Sequence, residues 1–503
     1  MPYNQIENCG STRVAIAVSG VPFSVQDMTL TSPADRQPAP SAAYASALHR
    51  LVSLADYERM AGREAPLQKL GLGRMRDLAH RLGSPQESAP VVHIAGTKGK
   101  GSVAAMVSSI LQAAGLRAVT FTSPHLLTFR ERIRLDGIPV SEEMFVEYLE
   151  RVWESVEAMA TDSPYGQPST FEALTAMAFD LAREESADVQ VLEVGLGGRL
   201  DSTNVANGRV AVITSLSLDH TDILGEELSQ IAWEKAGIIK PGADVVVSPQ
   251  PSEAEAVVLE ACREMGARPL RLGHEITWQA GRKELTGQEV SITTPNNTYN
   301  IWLPLLGPHQ RENAAAAIAA VEALDMHVTS EAITQGIREV QWPGRFQVIN
   351  AAPYVVIDGA HNTHSMSRLR ETVEEFLPGR KTILVFGCSG DKDLDGMVAQ
   401  LAPIVDLAVL CQSRHPRSVP TSRLSEAFGR VGIPVAEAST VAEGFSVAMA
   451  KATSEDLVLA TGSLFVVGEG LEHWYNTAPE YYPELDPFNR ELAGGGSLEA
   501  NPR

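Results

Sequence analysis

The chain has 503 residues, of which 44% are apolar and 20% are charged, and its formal net charge is −21 at pH 7. This length exceeds what one hydrophobic core usually supports, so two or three domains are expected. The acidic surplus argues against a protein that binds a nucleic acid backbone or an anionic membrane, but it allows a local basic pocket for a small anion.

The cysteines and the hydropathy pattern indicate the compartment. Cys9, Cys262, Cys388 and Cys411 lie far apart and form no CxxC pair, so they predict reduced thiols. No run approaches the roughly 20 apolar residues that a membrane span requires. The N-terminus also lacks the basic start and apolar core of a signal peptide. We therefore expect a cytoplasmic protein.

The first elements in chain order predict an α/β domain. Residues 1–43 include a stretch rich in Pro, Ser and Ala and are predicted to be a disordered extension, with order beginning at Tyr44. Strands and helices then alternate, with strands at 91–95, 118–123, 189–195 and 210–216 and helices at 102–115 and 171–185. This alternation predicts a mostly parallel sheet covered on both faces, with ligands bound at the carboxyl ends of its strands.

A second α/β series follows a predicted hinge at 341–350, where a Pro-Gly pair interrupts the pattern. Its predicted strands are 354–359, 381–387, 407–411 and 456–463. The chain is thereby divided into a central domain at 44–343, a smaller Rossmann-like domain at 347–480 and a loose tail at 481–503.

The strongest chemical signal is GTKGKGS at 96–102, between a strand and a helix. Glycines let backbone N–H groups surround phosphate oxygens, and the helix N-terminus adds a favourable dipole. Lys100 is expected to reach the terminal phosphates, and Ser102 is placed for a phosphate or a metal ion. Gly101 separates them, so the loop is a variant of the strict P-loop, and a plain glycine-rich turn is the alternative. The predicted nucleotide-binding residues are Gly96, Thr97, Lys98, Gly99, Lys100, Gly101 and Ser102.

TKGKGS resembles the ATP loop of the Mur ligase superfamily, and in particular that of the folylpolyglutamate synthase and dihydrofolate synthase family. Further motifs of that family follow in order over about residues 44–475: TSPHL (122–126), RERI (130–133), TFEALTAMAF (170–179), EVGLGGRLDSTN (193–204), LDHTDILG (218–225), WEKAGIIKPG (233–242), GPHQRENAAAA (307–317), PGRFQ (343–347), DGAHN (358–362) and TGSLF (461–465). The resemblance implies a P-loop-type ATP-binding domain with a mostly parallel sheet and a C-terminal glutamate-ligase domain. It also implies an ATP-dependent ligase that adds L-glutamate to folates through an acyl phosphate, and dihydrofolate synthase activity besides.

The resemblance implies two Mg²⁺ ions. By family position Ser123, Glu193 and His220 help to hold Mg²⁺, and Lys235 is carbamylated by CO₂ to bind a second ion. Mg²⁺ prefers oxygen, so a histidine is an unusual ligand and a structural role is the alternative for His220. The alternative for Lys235 is a solvated lysine on a helix that starts near Ser229.

The remaining nucleotide contacts are implied from both sides of the hinge. Asn313 would face the adenine, Arg345 would grip the triphosphate with its fork of donors, and Asp358 would bind the nucleotide from the second domain. A salt bridge at the hinge is the alternative for Arg345. His361 would face the cleft, and the residues implied to be catalytic are Lys100, Lys235 and His361.

The folate site is implied by family position alone. Phe171 would stack on the pterin ring, although a phenylalanine at a helix start is also a common core residue. The residues implied to line the pterin pocket are Ser169, Thr170, Phe171, Glu172, Leu200, Asp201 and Ser202.

Two other functions are alternatives to the predicted folate ligase. A cell-wall Mur ligase acting on a UDP-linked peptide would need a UDP-binding domain before Gly96, and TSPHL and RERI belong to the folate branch. A non-catalytic P-loop module would not need Glu193, His220, Lys235 and Asp358 together. We expect a monomer whose partners are small molecules (a folate or dihydropteroate, glutamate and ATP), with no nucleic acid and no membrane.

Overall fold

The computed structural model describes residues 40–55 and 71–480 of the chain. The predicted extension up to residue 39 and the predicted tail at 481–503 lie outside these residues, as does Cys9. The first described helix begins at Ala42, just before the predicted start of order. Its N-cap is Ser41, whose side chain accepts a hydrogen bond from the N–H of Tyr44.

Helices and strands alternate along both halves of the chain. The α-helices span Ala42–Val52, Leu72–Arg81, Lys100–Ala113, Glu142–Asp162, Thr170–Glu184, Thr221–Leu224, Leu228–Ala236, Ser252–Glu264, Pro308–Ala323, Ser330–Glu339, Thr363–Phe376, Leu394–Leu401, Thr421–Arg430, Val441–Lys451 and Leu464–Tyr475. The strands are β1 Val91–Ala95, β2 Ala118–Phe121, β3 Ile133–Leu135, β4 Ile138–Pro139, β5 Val189–Glu193, β6 Gly208–Ile213, β7 Asp244–Val247, β8 Arg268–Arg271, β9 Thr277–Glu284, β10 Gly287–Thr293, β11 Thr298–Leu303, β12 Gln347–Ala351, β13 Tyr354–Ile357, β14 Thr382–Phe386, β15 Leu407–Leu410, β16 Val435–Glu437 and β17 Leu457–Thr461.

The central domain is built on an eight-stranded sheet in the order β4-β3-β2-β5-β1-β6-β7-β8. From β2 to β8 the neighbours are parallel, and only β3 and β4 pair antiparallel at one edge. The prediction of a mostly parallel sheet is therefore confirmed. Because β1 lies between β5 and β6, with Ile94 level with Glu193 and Val212, the loops that follow these three strands meet at one edge.

A three-stranded antiparallel sheet, β11-β10-β9, also belongs to the central domain and was not predicted. Its inner face, which includes Val290, Ile292 and Ile301, packs into the same core as the helices Lys100–Ala113 and Pro308–Ala323. The latter helix carries a run of buried alanines, whose small side chains let it approach closely. This packing places its N-terminal turn beside the 96–102 loop.

The C-terminal domain is built on a six-stranded sheet in the order β12-β13-β17-β14-β15-β16. From β13 to β16 in that order the strands are parallel; β16 was not predicted, and β12 adds an antiparallel edge. Because β12 pairs with β13, residues 347–350 of the predicted hinge are part of this sheet. The connection between the domains is accordingly shorter than the sequence suggested.

The last described residue, Glu480, contacts the central domain. Glu480 accepts hydrogen bonds from the hydroxyl of Tyr44, the hydroxyl of Thr128 and the N–H of Phe129. These contacts anchor Glu480, the residue just before the predicted tail at 481–503. In the described part of the chain no helix is long and apolar enough to span a membrane. The described cysteines are free, buried thiols: Cys262, Cys388 and Cys411.

Candidate active site

A cavity of about 840 Å³ lies between the two domains. Its walls come from the 96–102 loop, from residues that follow β2, β5 and β6, and from the loop after β13. The predicted site residues that line it are Gly96, Thr97, Lys98, Gly99, Lys100, Gly101, Ser102, Ser123, Ser169, Phe171, Glu172, Glu193, Leu200, Asp201, Ser202, His220, Lys235, Asn313, Arg345, Asp358 and His361. The structure thus brings together residues that are far apart in sequence, and of the predicted set only Thr170 lies outside the cavity wall.

The 96–102 loop needs glycine at two positions. A Cβ on Gly96 would lie 1.8 Å from the hydroxyl of Thr214, and a Cβ on Gly99 would lie 2.4 Å from Oδ1 of Asn313. Both residues also have positive φ, 153° and 92°. The helix that follows begins at Lys100, so the N–H groups of its first turn have no carbonyl partner within the helix. These residues line the cavity, and such a helix start could act as a phosphate cradle.

Two lysines lie near the centre of the cavity. The Lys100 Nζ is 3.9 Å from Oε1 of Glu193, which ends β5. The Lys235 Nζ is buried and donates to the carbonyl of Gly96 at 3.0 Å. Burial, helped by the nearby Lys100, lowers the pKa of Lys235 to about 7. A substantial fraction of the Lys235 amine is therefore neutral near pH 7, unlike an ordinary solvated lysine.

The candidate metal ligands line the same part of the cavity. Glu193 Oε2 accepts the N–H of Ser123 at 3.3 Å, so the end of β5 meets the loop after β2. Burial lowers the pKa of His220, which favours its neutral, ligand form. Within residues 40–55 and 71–480 no group of three or more His, Cys, Asp or Glu side chains is arranged to hold a metal. A site here would therefore also have to use the Ser123 hydroxyl or a modified lysine.

The hinge is organised by Asp358. Its two carboxylate oxygens accept the N–H groups of Phe346 and Ala360, both at 2.8 Å. Burial raises the pKa of Asp358, and Arg345 opposes that shift. Arg345 donates to the carbonyl of Gly344 at 3.1 Å and lines the cavity, so its guanidinium is fixed at the domain boundary. The structure therefore shows a structural role for Asp358 beside its predicted nucleotide contact.

At the end of the cavity near the 96–102 loop, Asn313 is held by its own helix. Its Nδ2 donates to Oε1 of Gln310 at 3.0 Å, and its Oδ1 lies against Gly99. His309 also lines the cavity, and burial lowers its pKa to about 3. Neutral polar groups therefore lie next to the 96–102 loop, and the contact of Asn313 with adenine stays a prediction.

Another part of the cavity wall is partly apolar. Phe171 lines it and packs against Phe121 with the ring centroids 5.4 Å apart. Glu172 accepts from the N–H and the hydroxyl of Ser169, at 2.7 and 2.8 Å, and from Arg74 Nε at 2.7 Å. Ser169 and Glu172 form a capping box that starts the helix Thr170–Glu184. Both residues thus have a structural role as well as a place in the cavity wall.

Thr170 and Asp201 serve the local structure. The Thr170 hydroxyl donates to the carbonyl of Leu51 or Leu54, at 3.2 and 3.3 Å, and is directed away from the cavity. Asp201 is buried and accepts the N–H groups of Gly195 and Leu196, at 3.1 and 3.0 Å. It fixes the loop that presents Leu200 and Ser202, which also line the cavity.

Lys98, another predicted nucleotide-binding residue of the cavity wall, also has partners outside its loop. Its Nζ lies 3.0 Å from Asp219 Oδ2 and 3.3 Å from His361 Nε2, so it contacts the C-terminal domain. Lys98, followed by burial, lowers the pKa of His361 to about 3. Near neutral pH His361 is therefore a hydrogen-bond acceptor and a weak base.

Sequence reasoning did not assign a role to Asp219, Asn362 or Lys392. Each follows a strand at its carboxyl end or caps the next helix, and that position was the available signal. Asn362 Nδ2 lies 3.1 Å from Asp219, and Lys392 Nζ lies 3.9 Å from it. The three residues belong to one polar bridge across the cavity.

Comparison with known proteins identifies the family of the chain. The Mur ligase middle domain family matches residues 94–321, and the Mur ligase glutamate ligase domain family matches residues 344–464. A dihydrofolate synthase/folylpolyglutamate synthase of Bacillus subtilis is 37% identical over 408 residues, which cover 80% of this chain and 94% of that protein.

Solved structures give the same result. A folylpolyglutamate synthase of Mycobacterium tuberculosis, complexed with ADP and AMPPCP, has a TM-score of 0.78 and 34% identity, over 87% of this chain and 100% of that one. An Escherichia coli protein in complex with DHPP and ADP has a TM-score of 0.76 and 33% identity, over 87% of this chain and 98% of that one. The chain belongs to the folylpolyglutamate synthase and dihydrofolate synthase family of Mur ligases, as its motifs predicted.

Proposed function

We propose that this protein is an ATP-dependent ligase that joins the amino group of L-glutamate to a carboxylate of a folate. One observation carries the proposal: a single cavity holds the phosphate cradle, with Lys100 beside Glu193, and an apolar end that contains Phe171. A nucleotide and a flat aromatic substrate can therefore meet in one space between two domains. The B. subtilis relative is named for both activities of the family.

The residues suit a two-step reaction. A substrate carboxylate attacks the γ-phosphorus of ATP, which gives an acyl phosphate and ADP. The helix N-terminus at Lys100, the Lys100 ammonium and Arg345 stabilise the phosphate charge in this step. The glutamate amine then attacks the acyl carbon, and phosphate leaves as the amide forms. The two domains enclose the cavity and keep water from the acyl phosphate.

The residues near the end of β5 fit a Mg²⁺ site. Glu193 supplies carboxylate oxygens and Ser123 a hydroxyl, and oxygen is the ligand that Mg²⁺ prefers. We infer that these two residues and His220 hold Mg²⁺. When bound, the ion neutralises charge on the phosphate oxygens of ATP.

Lys235 is proposed to carry a carbamate. Its amine is buried and its pKa is lowered to about 7, first by burial and then by Lys100. The neutral amine attacks CO₂, a C–N bond forms and one proton is released. The product is an anion beside Lys98 and Lys100, so it would balance their charge and offer oxygens to a second Mg²⁺.

We propose that the same centre uses dihydropteroate as well as reduced folates. Both reactions activate a carboxylate with ATP and attack it with the same amine. Dihydropteroate is one glutamate shorter, so its pterin must lie deeper, near Phe171 and the loop that presents Leu200 and Ser202. These segments line the same cavity as the phosphate cradle, which supports one site for both substrates. We further propose a cytoplasmic monomer, in keeping with the buried free thiols.

The test is glutamate-dependent ADP release by the purified protein with three acceptors. Dihydropteroate and tetrahydrofolate monoglutamate should both incorporate radiolabelled glutamate, and a UDP-linked peptide should not. Incorporation into the tetrahydrofolate alone would reduce the protein to a folylpolyglutamate synthase. Incorporation into the UDP-linked peptide alone would show that the protein is a cell-wall ligase. ATP binding without any glutamyl product would show that it is a non-catalytic nucleotide-binding module.

A further inference from the structure

One carboxylate joins the two domains across the cavity. Asp219 follows β6 of the central domain, and its Oδ2 accepts from Lys98 Nζ at 3.0 Å. The same oxygen accepts from Asn362 Nδ2 at 3.1 Å, and Lys392 Nζ lies 3.9 Å from Oδ1. Asn362 and Lys392 belong to the C-terminal domain, so Asp219 is a hub between groups of both domains.

The hub is shielded from solvent. The side chain of Asp219 is 12% exposed, that of Lys98 20% and that of Lys392 18%. An ion pair at this depth is weakened less by water and salt than one on the surface.

Lys98 extends the hub to His361. His361 Nδ1 lies 2.8 Å from the carbonyl of Gly359, which can only accept, so Nδ1 carries the proton. Nε2 therefore presents its lone pair to Lys98 Nζ, 3.3 Å away. The Lys98 ammonium donates to Asp219 and to His361, and so fixes the orientation of the imidazole in the cavity.

We propose that Asp219 is a positioning residue that holds the two domains closed and orients His361 through Lys98 during the second half of the reaction. The two lysines of the 96–102 loop then have different roles. Lys100 binds the phosphates of ATP, and Lys98 helps to hold the two domains closed. The inference rests on the proposed ligase function and identifies how the same site retains its acyl phosphate. If closure fails, water attacks the acyl carbon, phosphate leaves, and the carboxylate is regenerated without an amide.

The measured quantity is the number of ADP molecules released per glutamate incorporated, which is about one in a coupled ligase. Asp219→Asn keeps the size of the side chain and removes its charge. We expect the ratio to rise at least about threefold, while the KM for ATP changes less than about twofold. Asp222→Asn is the matched control, because Asp222 is an exposed acid in the same segment, and its ratio should stay at the wild-type value.

A charge reversal tests the contact itself. Asn362 caps the helix Thr363–Phe376 through its Oδ1, and aspartate caps a helix equally well. Asn362→Asp therefore keeps the cap but places a carboxylate against Asp219, and it should also raise the ratio. In the double variant Asp219→Asn/Asn362→Asp the donor and acceptor exchange places, so the ratio should return towards the wild-type value.

The outcomes separate the two proposals. A wild-type ratio in both single variants, or a double variant no better coupled than either, would overturn the role of Asp219. So would a parallel loss of ADP release and amide formation, because that would place Asp219 in the phosphoryl-transfer step. If Asp219→Asn does not fold, Asn362→Asp and the double variant still decide the matter. A wild-type protein that forms no glutamyl amide with any folate would instead refute the ligase function.

Discussion

The phosphate end and the folate end of the cavity are built in different ways. At the phosphate end, the charged groups face partners from distant segments: Lys100 faces Glu193, and Lys98 faces Asp219 and His361. At the proposed folate end, Ser169 and Glu172 form a capping box, and Arg74 also donates to Glu172. The first end therefore gathers several charged groups, whereas the second pairs Glu172 with Arg74 and adds the apolar ring of Phe171.

This difference predicts where substitutions act. Removal of a charge at the phosphate end should affect the chemical step, because charge that develops on phosphate is stabilised there. A substitution at the folate end should change either substrate affinity or stability, depending on whether the side chain faces the cavity. The predictions below test that division, from the largest expected effect to the smallest.

Lys100→Ala should lower kcat by at least about a hundredfold, because it removes a cation from a preorganised phosphate site. Lys100 lies at the first position of a helix and contributes little to the core, so the thermal midpoint should change by less than about 2 °C. ADP release with saturating folate and glutamate is the measurement.

The control for this prediction is Lys451→Ala, at the exposed end of the helix Val441–Lys451. It should retain wild-type kcat and stability. Near-normal ADP release by a folded Lys100→Ala protein would show that the phosphate end does not depend on this lysine.

Carbamate formation at Lys235 should increase with pH. With a pKa of about 7, the neutral amine rises from about a tenth at pH 6 to about nine tenths at pH 8, and only the neutral amine attacks CO₂. At limiting CO₂ we expect activity to rise about fivefold over this range. The carbamate itself is followed by carbon NMR with ¹³CO₂.

Lys235→Ala should lack the carbamate signal and most of the activity, whereas Lys240→Ala, in the same motif, should keep the signal. Lys240 is a suitable control because its Nζ is occupied by the carbonyl and side chain of Asn204, at 3.1 and 2.8 Å. An unchanged signal in Lys235→Ala would assign the carbamate to another amine.

Local patterns predicted the phosphate end well and its long-range partners poorly. The strand, the glycine-rich loop and the helix at Lys100 are consecutive in sequence, so their geometry follows from local rules. The partners of Lys98 are 121 and 263 residues away, and no local rule selects Asp219 and His361 over phosphate. Thr170 was misplaced for a related reason: the helix start was correct, but the packing of the first helix turned its hydroxyl inward.

The three-stranded sheet was missed because its edge gives almost no hydropathy signal. Nearly every residue of β9 is exposed, so the alternation that marks a half-buried strand is absent. The other two strands of this sheet, β10 and β11, do alternate, and their residues Val290, Ile292 and Ile301 are buried. Most parallel strands were predicted because both of their faces are buried and they read as short apolar runs, whereas β7, β8 and β16 were not predicted.

Phe171→Leu should raise the KM for the folate substrate about fivefold and leave the KM for ATP unchanged. Leucine keeps an apolar side chain but loses the flat face on which a pterin stacks. The control is Phe121→Leu, whose ring packs on Phe171 but is fully buried and does not line the cavity. Phe121→Leu should cost stability and leave both KM values unchanged; a KM effect equal in both variants would remove the evidence for stacking.

Thr170→Val should lower stability by about 1 kcal/mol and leave the kinetics unchanged. Valine has nearly the shape of threonine, but it cannot donate to the carbonyl of Leu51 or Leu54, and these acceptors lie at the buried contact of the first helix. The control is Thr161→Val, because the Thr161 hydroxyl is exposed and donates only within its own helix, to Ala158. Urea unfolding and the KM for dihydropteroate are measured for both variants. A higher KM for dihydropteroate with unchanged stability would support the original prediction that Thr170 lines the pterin pocket. It would also show that the folate end rearranges when substrate binds.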